Sequence, residues 1–184
     1  KALRYGLPKV AYSNHLFLSK KDLHSLKRYI QFKNTELLFS SVLLLCEGES
    51  EKIFFEIISQ SYIGATLGKL GVSVVACDGK NYTVFLSIAK EVAFDLPCLI
   101  FSDGEDDAVR EVERAVRNND YSDDYLSENV IFLPDKKDFE SYCIDVFGEE
   151  LFLEIIEKAY GPNAYRNYKK NVEQDQSVTI EEST

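Results

Sequence analysis

Two short apolar runs, each ending in a knot of acids, constrain this chain more than any other feature. Val42-Leu43-Leu44-Leu45-Cys46 leads into Glu47-Gly48-Glu49-Ser50-Glu51, and Leu99-Ile100-Phe101-Ser102 leads into Asp103-Gly104-Glu105-Asp106-Asp107. Runs this short and this continuous read as strands buried on both faces, the habit of parallel sheets sandwiched by helices. Ligands of open α/β sheets sit at the carboxyl ends of strands. If the two strands are neighbours, their acids meet at one edge. Like charges about 4 Å apart repel by roughly 4 kcal/mol at an effective dielectric of about 20. Such an edge is tolerable when its acids protonate, spread into water or share a cation. Oxygen donors without a matching His/Cys set point to Mg²⁺ or Mn²⁺.

The rest of the chain alternates strand and helix signals. Ser19 caps a helix expected over 20–32, and Asn34–Phe39 forms a short helical lead-in to the strand 42–46. Helix 51–63 follows, with Ser50 as N-cap and Ile53, Phe54, Ile57 and Ile58 as its inward face. A Gly-punctuated connection, strand 72–77, a turn at Asp78-Gly79-Lys80-Asn81 and helix 82–93 come next. Beyond Pro97 lie strand 98–102 and a helix over 106–117 with Asp106–Arg110 and Glu113–Arg117 as i,i+4 pairs. Residues 118–128 read as a polar loop, and strand 130–133 is stopped by Pro134. Helices 138–146 and 149–160, ending at Gly161-Pro162, precede a polar tail. Strands separated by helices imply right-handed crossovers and a parallel sheet.

Charge is unevenly distributed. Residues 1–33 hold eight Lys and Arg against Asp22, a net of +7, which leaves −17 for the remainder of a chain whose net charge is −10. Such a leader is a solvated helix or a flank that faces phosphate or another domain. Cys46, Cys77, Cys98 and Cys143 are widely spaced in mostly apolar surroundings and read as reduced core thiols of a cytoplasmic protein. His15 and His24 read as surface residues. No stretch reaches the roughly 18 apolar residues of a membrane span. The absence of Met, at position 1 and elsewhere, suggests a piece of a longer protein.

In order and spacing, these signals resemble a TOPRIM domain, and more narrowly the TOPRIM half of the OLD family of ATP-dependent nucleases, which includes the nuclease subunit of the Gabija phage-defence system. Asn34–Phe39 followed by Val42–Glu51 resembles that family's lead-in and its V-E-G-x-x-E segment. Gly71–Val75 with Gly79–Tyr82 resembles its second-strand region, and Leu96–Asp103 its approach to a D-x-D pair. Leu133-Pro134 with Asp138-Phe139-Glu140 resembles its late acidic helix start. The family's D-x-D is here Asp103-Gly104-Glu105, one methylene longer at its second acid. No P-loop motif G-x-x-x-x-G-K-[S/T] occurs in the sequence.

The resemblance implies an α/β fold, a Rossmann-like, mainly parallel central sheet flanked by helices, with helical additions at both ends. The organisation it implies is a basic helical leader over 1–40, a TOPRIM nuclease domain over 41–160 and a polar tail over 161–184. It further implies Mg²⁺- or Mn²⁺-dependent cleavage of DNA with two ions and a role in antiviral defence. The expected partners are DNA, an ATPase domain of the same or a companion chain, and further copies of the chain, with no membrane. Glu47 and Asp103 are the expected first-ion ligands, and Glu51, Glu105 and Glu140 share the pair. Lys136 or Lys137, with Lys80 a weaker candidate, neutralises charge on the phosphate. Two other functions fit the same residues: a non-catalytic module that docks a partner, and a Mg²⁺-dependent phosphotransfer or phosphohydrolase domain.

Overall fold

The computed structural model describes residues 39–78, 81–91, 93–122 and 124–163, together with residues 19, 20, 23, 24, 26, 27, 37, 166 and 170. Most of the expected leader helix, most of the 34–39 lead-in, Lys80, Val92 and most of the polar tail lie outside the described residues. The chain divides into two compact units, Lys1–Asp138 and Phe139–Thr184.

The first unit is built on four strands: β1 (Val42–Cys46), β2 (Val72–Ala76), β3 (Cys98–Ser102) and β4 (Val130–Phe132). They form one parallel sheet in the order β2-β1-β3-β4. The chain runs from β1 outward to β2, then crosses back to β3 on the other side of β1. The strand order therefore reverses between β1 and β3, the switch point where open α/β sheets leave a crevice beyond their carboxyl ends. Register pairs Leu44 with both Val74 and Leu99, and Ile100 with Val130.

The apolar runs form strands because both sheet faces are covered. On one face Leu43, Leu45, Val75 and Ile100 pack in a single cluster with residues of α2 (Tyr82–Ala89) and α3 (Asp106–Asn118), among them Phe85 and Val112. On the other, Cys46, Val74 and Ala76 meet Phe55 of α1 (Glu49–Tyr62) and Leu67 of the short 3₁₀ turn Leu67–Leu70. Phe55 also sets its ring edge-on to Phe101, with centroids 5.1 Å apart.

Helix α1 departs from its expected orientation. It starts at Glu49 behind an N-cap at Gly48, so Ser50 lies inside the helix and not at its cap. Glu51 at N3 accepts a hydrogen bond from the Gly48 amide at 3.1 Å and is buried. Burial of Glu51 turns the stripe through Phe55 and Ser59 toward the sheet. Residues two positions away lie about 200° around the helix. Ile53 and Ile57 consequently face solvent, 54% and 63% exposed, where the sequence suggested an inward face.

The stretch expected as a loop contains a fourth helix, α4 (Tyr125–Asn129). Tyr125 donates its hydroxyl proton to the Cys98 carbonyl at 2.7 Å, and Tyr121 donates to the Leu86 carbonyl at 3.0 Å. The tyrosines bury apolar rings while their hydroxyls satisfy strand-start and helix carbonyls, which holds an otherwise polar segment against the core. The second unit comprises α5 (Phe139–Phe147) and α6 (Glu149–Tyr160), with Leu153 buried. Among the described residues no helix is long and apolar enough to cross a membrane.

Candidate active site

The two acidic knots leave the sheet from adjacent strands. At the end of β1 the Cys46 carbonyl accepts a hydrogen bond from the Cys77 amide at 2.8 Å. At the end of β3 the Ser102 carbonyl accepts one from the Leu133 amide at 3.0 Å. The ladder thus stays closed up to the residue before each acid, which fixes where Glu47 and Asp103 emerge.

Glu47 and Glu105 line one cavity of about 320 Å³, together with Asp107, Ala108, Arg110, Glu111 and Arg114. Glu105 is the N-cap residue of α3 by backbone position, yet its side chain makes no capping bond. Asp103 is half-buried and its Oδ1 is fully enclosed. Glu51 holds the Glu47-Gly48 turn through its capping bond, which commits one carboxylate oxygen. Glu49 is exposed.

A clamp closes over the start of α3. The Gly104 amide donates to the Lys137 carbonyl at 2.9 Å. A Cβ on Gly104 would stand 2.0 Å from the Leu133 carbonyl oxygen, so only glycine fits. Within this clamp Asp135 and Lys136 both hold positive φ, 58° and 56°, uncommon for residues with a side chain. The turn carries Lys136 onto Asp106, with Nζ 2.8 Å from Oδ1. This pair holds the exposed Asp106 carboxyl below its ordinary value. Lys137 is half-buried beside the Gly104 contact. The i,i+4 pairs expected on α3 give way to others: Asp107 bonds Arg110 and Glu111 bonds Arg114, while Asp106 goes to Lys136.

Glu140 lies in the first turn of α5 in the second unit, and Lys80 lies outside the described residues. His24 is exposed, and His15 is outside the described residues. Cys46, Cys77 and Cys98 are buried free thiols and Cys143 a partly buried one.

Three residues of this region escaped the reading of the sequence. Arg110 and Arg114 line the cavity, which an i,i+4 arginine pair on the helix after the acids could have signalled. Tyr82, the first residue of α2, is buried together with its hydroxyl. Burial pushes that hydroxyl far above its ordinary value, and the Cys77 and Glu47 charges add to the effect.

Among the described residues, no three Asp, Glu, His or Cys side chains stand close enough together to enclose an ion. Mg²⁺ does not require three: it takes one or two carboxylates and keeps several waters. Glu47 and Glu105, which line one cavity, are oxygen donors of the kind such a cation takes.

The sequence profile described as "Overcoming lysogenization defect protein-like, TOPRIM domain" matches residues 38–104, which run from just before β1 to Gly104. Among solved structures, the C-terminal region of the Xanthomonas campestris pv. campestris OLD protein is similar at 18% identity and TM-score 0.52. That alignment covers 72% of this chain and 71% of that one. The C-terminal region of the Burkholderia pseudomallei OLD protein aligns at 17% identity and TM-score 0.49, over 65% of this chain and 66% of that one. No curated protein matches the chain significantly. With the parallel sheet and the acidic switch point already in place, residues 38–104 match the OLD-like TOPRIM family model, and the chain shares the α/β fold of the OLD C-terminal region.

Proposed function

We propose that this chain hydrolyses phosphodiester bonds in DNA with Mg²⁺ or Mn²⁺, as the nuclease half of an ATPase-coupled anti-phage defence protein. The observation that carries the reading is the shared cavity: Glu47 from the end of β1 and Glu105 from the end of β3 line one space at the switch point. Glu47 and Asp103 would hold the first ion, and Glu105 and Glu51 would help to hold a second. Glu140 is included on the resemblance alone. Divalent ions, when bound, supply the Lewis acidity that phosphodiester cleavage needs.

The chain's own residues do the rest. Closed backbone ladders at Cys46 and Ser102 keep the acids in place, so little reorganisation accompanies the reaction. Lys137, and Lys136 once released from Asp106, place positive charge near the phosphate oxygens. The basic leader and a companion ATPase domain deliver DNA to the edge, in an oligomer of the full protein.

Nicking of supercoiled plasmid in Mn²⁺ tests the reading. Loss of a group that merely orients a metal ligand costs about 10–100-fold, so loss of a ligand itself costs at least ~100-fold. Glu47→Gln and Asp103→Asn should each reach that loss with an unchanged circular dichroism spectrum. Wild-type nicking in both variants removes these residues from the mechanism. Hydrolysis of small phosphoesters without nicking would favour the phosphohydrolase alternative.

A further inference from the structure

We propose that Arg110 and Arg114 form the grip on the substrate's phosphodiester backbone; the proposal rests on the nuclease reading above and names the residues that hold its substrate. The two stand four apart on α3, which puts them on one face with Cβ atoms about 5–6 Å apart. Both line the cavity that Glu47 and Glu105 share. Among the described residues no lysine lines it; Lys136 is engaged with Asp106 instead.

Charge makes the need for a grip explicit. Among the described residues four acids and two arginines line the cavity, an excess of two negative charges facing any incoming polyanion. Bound divalent ions offset the acids, and the arginines then become the cationic wall that a phosphodiester meets. Each guanidinium is already aimed by a neighbour on its own helix: Asp107 holds Nη2 of Arg110, and Glu111 holds Nη1 of Arg114 at 2.9 Å. One bond each leaves the remaining donors of the planar fork available for a phosphate, which such a fork binds in bidentate fashion. Both side chains are more than half exposed, 62% and 64%. Exposed i,i+3 ion pairs stabilise a helix little, so fold stability is a weak reason for these arginines.

Fluorescence anisotropy of a labelled DNA duplex titrated with the full chain in Mg²⁺, over a series of KCl concentrations, tests the grip. Each phosphate contact contributes about 0.9 to the slope of log K against log salt. The variant R110A/R114A should lose more than about one unit of slope and bind at least ~10-fold more weakly at low salt. R110K/R114K should recover the slope but only part of the affinity, since lysine keeps the charge and loses the fork. In the Mn²⁺ nicking assay the alanine pair should raise KM more than it lowers kcat. Unchanged slope and affinity in R110A/R114A overturn the proposal, as does failure of the folded wild-type chain to bind DNA in Mg²⁺. Wild-type binding without cleavage, lost in the alanine pair, upholds the grip and removes the hydrolysis. Cleavage with an unaltered KM in the alanine pair keeps the hydrolysis and removes the grip.

Discussion

Gly104 is the residue on which the geometry of the acid edge turns. Its amide holds the Lys137 carbonyl, and the Leu133 carbonyl occupies the space a Cβ would need. Because the obstacle is backbone and not a flexible side-chain end, Gly104→Ala must push the 133–137 turn outward. Overpacking typically costs about 1–3 kcal/mol, and the upper part of that range is expected here. The variant should therefore lower the urea midpoint clearly, and it should lower nicking further by shifting Asp103 and Glu105 apart. A midpoint equal to that of wild type would show that the turn yields freely. The position of Glu47 and Asp103 at the ends of neighbouring strands could be read directly from the sequence, because an acid after a buried apolar run has few other places to be. The demand for glycine at 104 could not: its partner Leu133 lies far along the chain, and locally Asp103-Gly104-Glu105 looks like any turn. The same distance hid the Lys136–Asp106 pair, whose short-range competitor Asp106–Arg110 is what a helix rule proposes.

At the scale of elements, α1 shows how one buried carboxylate can overrule an apolar pattern. Counting hydrophobic residues favours Ile53 and Ile57 as the inner face, but the capping bond of Glu51 to Gly48 fixes the rotation and sends both outward. Ile57→Lys should then change stability by no more than about 0.5 kcal/mol, the usual range for surface positions. Phe55→Ala should cost clearly more, because Phe55 packs on the Cys46, Val74 and Ala76 cluster and on Phe101; a fully buried phenylalanine loses about 3–5 kcal/mol and a partly buried one less. Chemical denaturation of the two variants decides the orientation, and the reverse ranking would restore the face that the sequence suggested. Strands were easier to read. Each of β1, β2 and β3 is a short apolar run closed by glycine, proline or acids, and their bounds agree with the structure to within a residue. Helix α4 was hidden because its two anchoring tyrosines stand among Asn, Asp, Ser and Glu, so composition indicates a loop while the hydroxyl bonds to Leu86 and Cys98 make a packed helix.

For the molecule as a whole, the thiols report how tightly the sheet is sealed. Burial pushes Cys46 and Cys98 each up to about 12 from the ordinary 9.0, with the Glu51 charge adding to Cys46, and raises Cys77 in the same direction. Unfolding returns these thiols to water, where they ionise at lower pH than in the fold. Between roughly pH 9 and 12 the unfolded chain therefore binds fewer protons than the native one, and stability falls as pH rises. Below pH 9 both states keep the thiols protonated, and this contribution is fully present. The urea midpoint should hold between pH 7 and 8.5 and then drop by pH 10.5, and Cys98→Ala should make that drop shallower. In the same way, a thiol reagent at pH 8 should modify the partly buried Cys143 rapidly and leave Cys46, Cys77 and Cys98 untouched until denaturant is added. Rapid modification of all four in the native protein would mean that the sheet opens readily. That result would also weaken the active-site argument, because Cys46 and Cys77 stand at the ends of the strands whose closed ladder holds Glu47 in place.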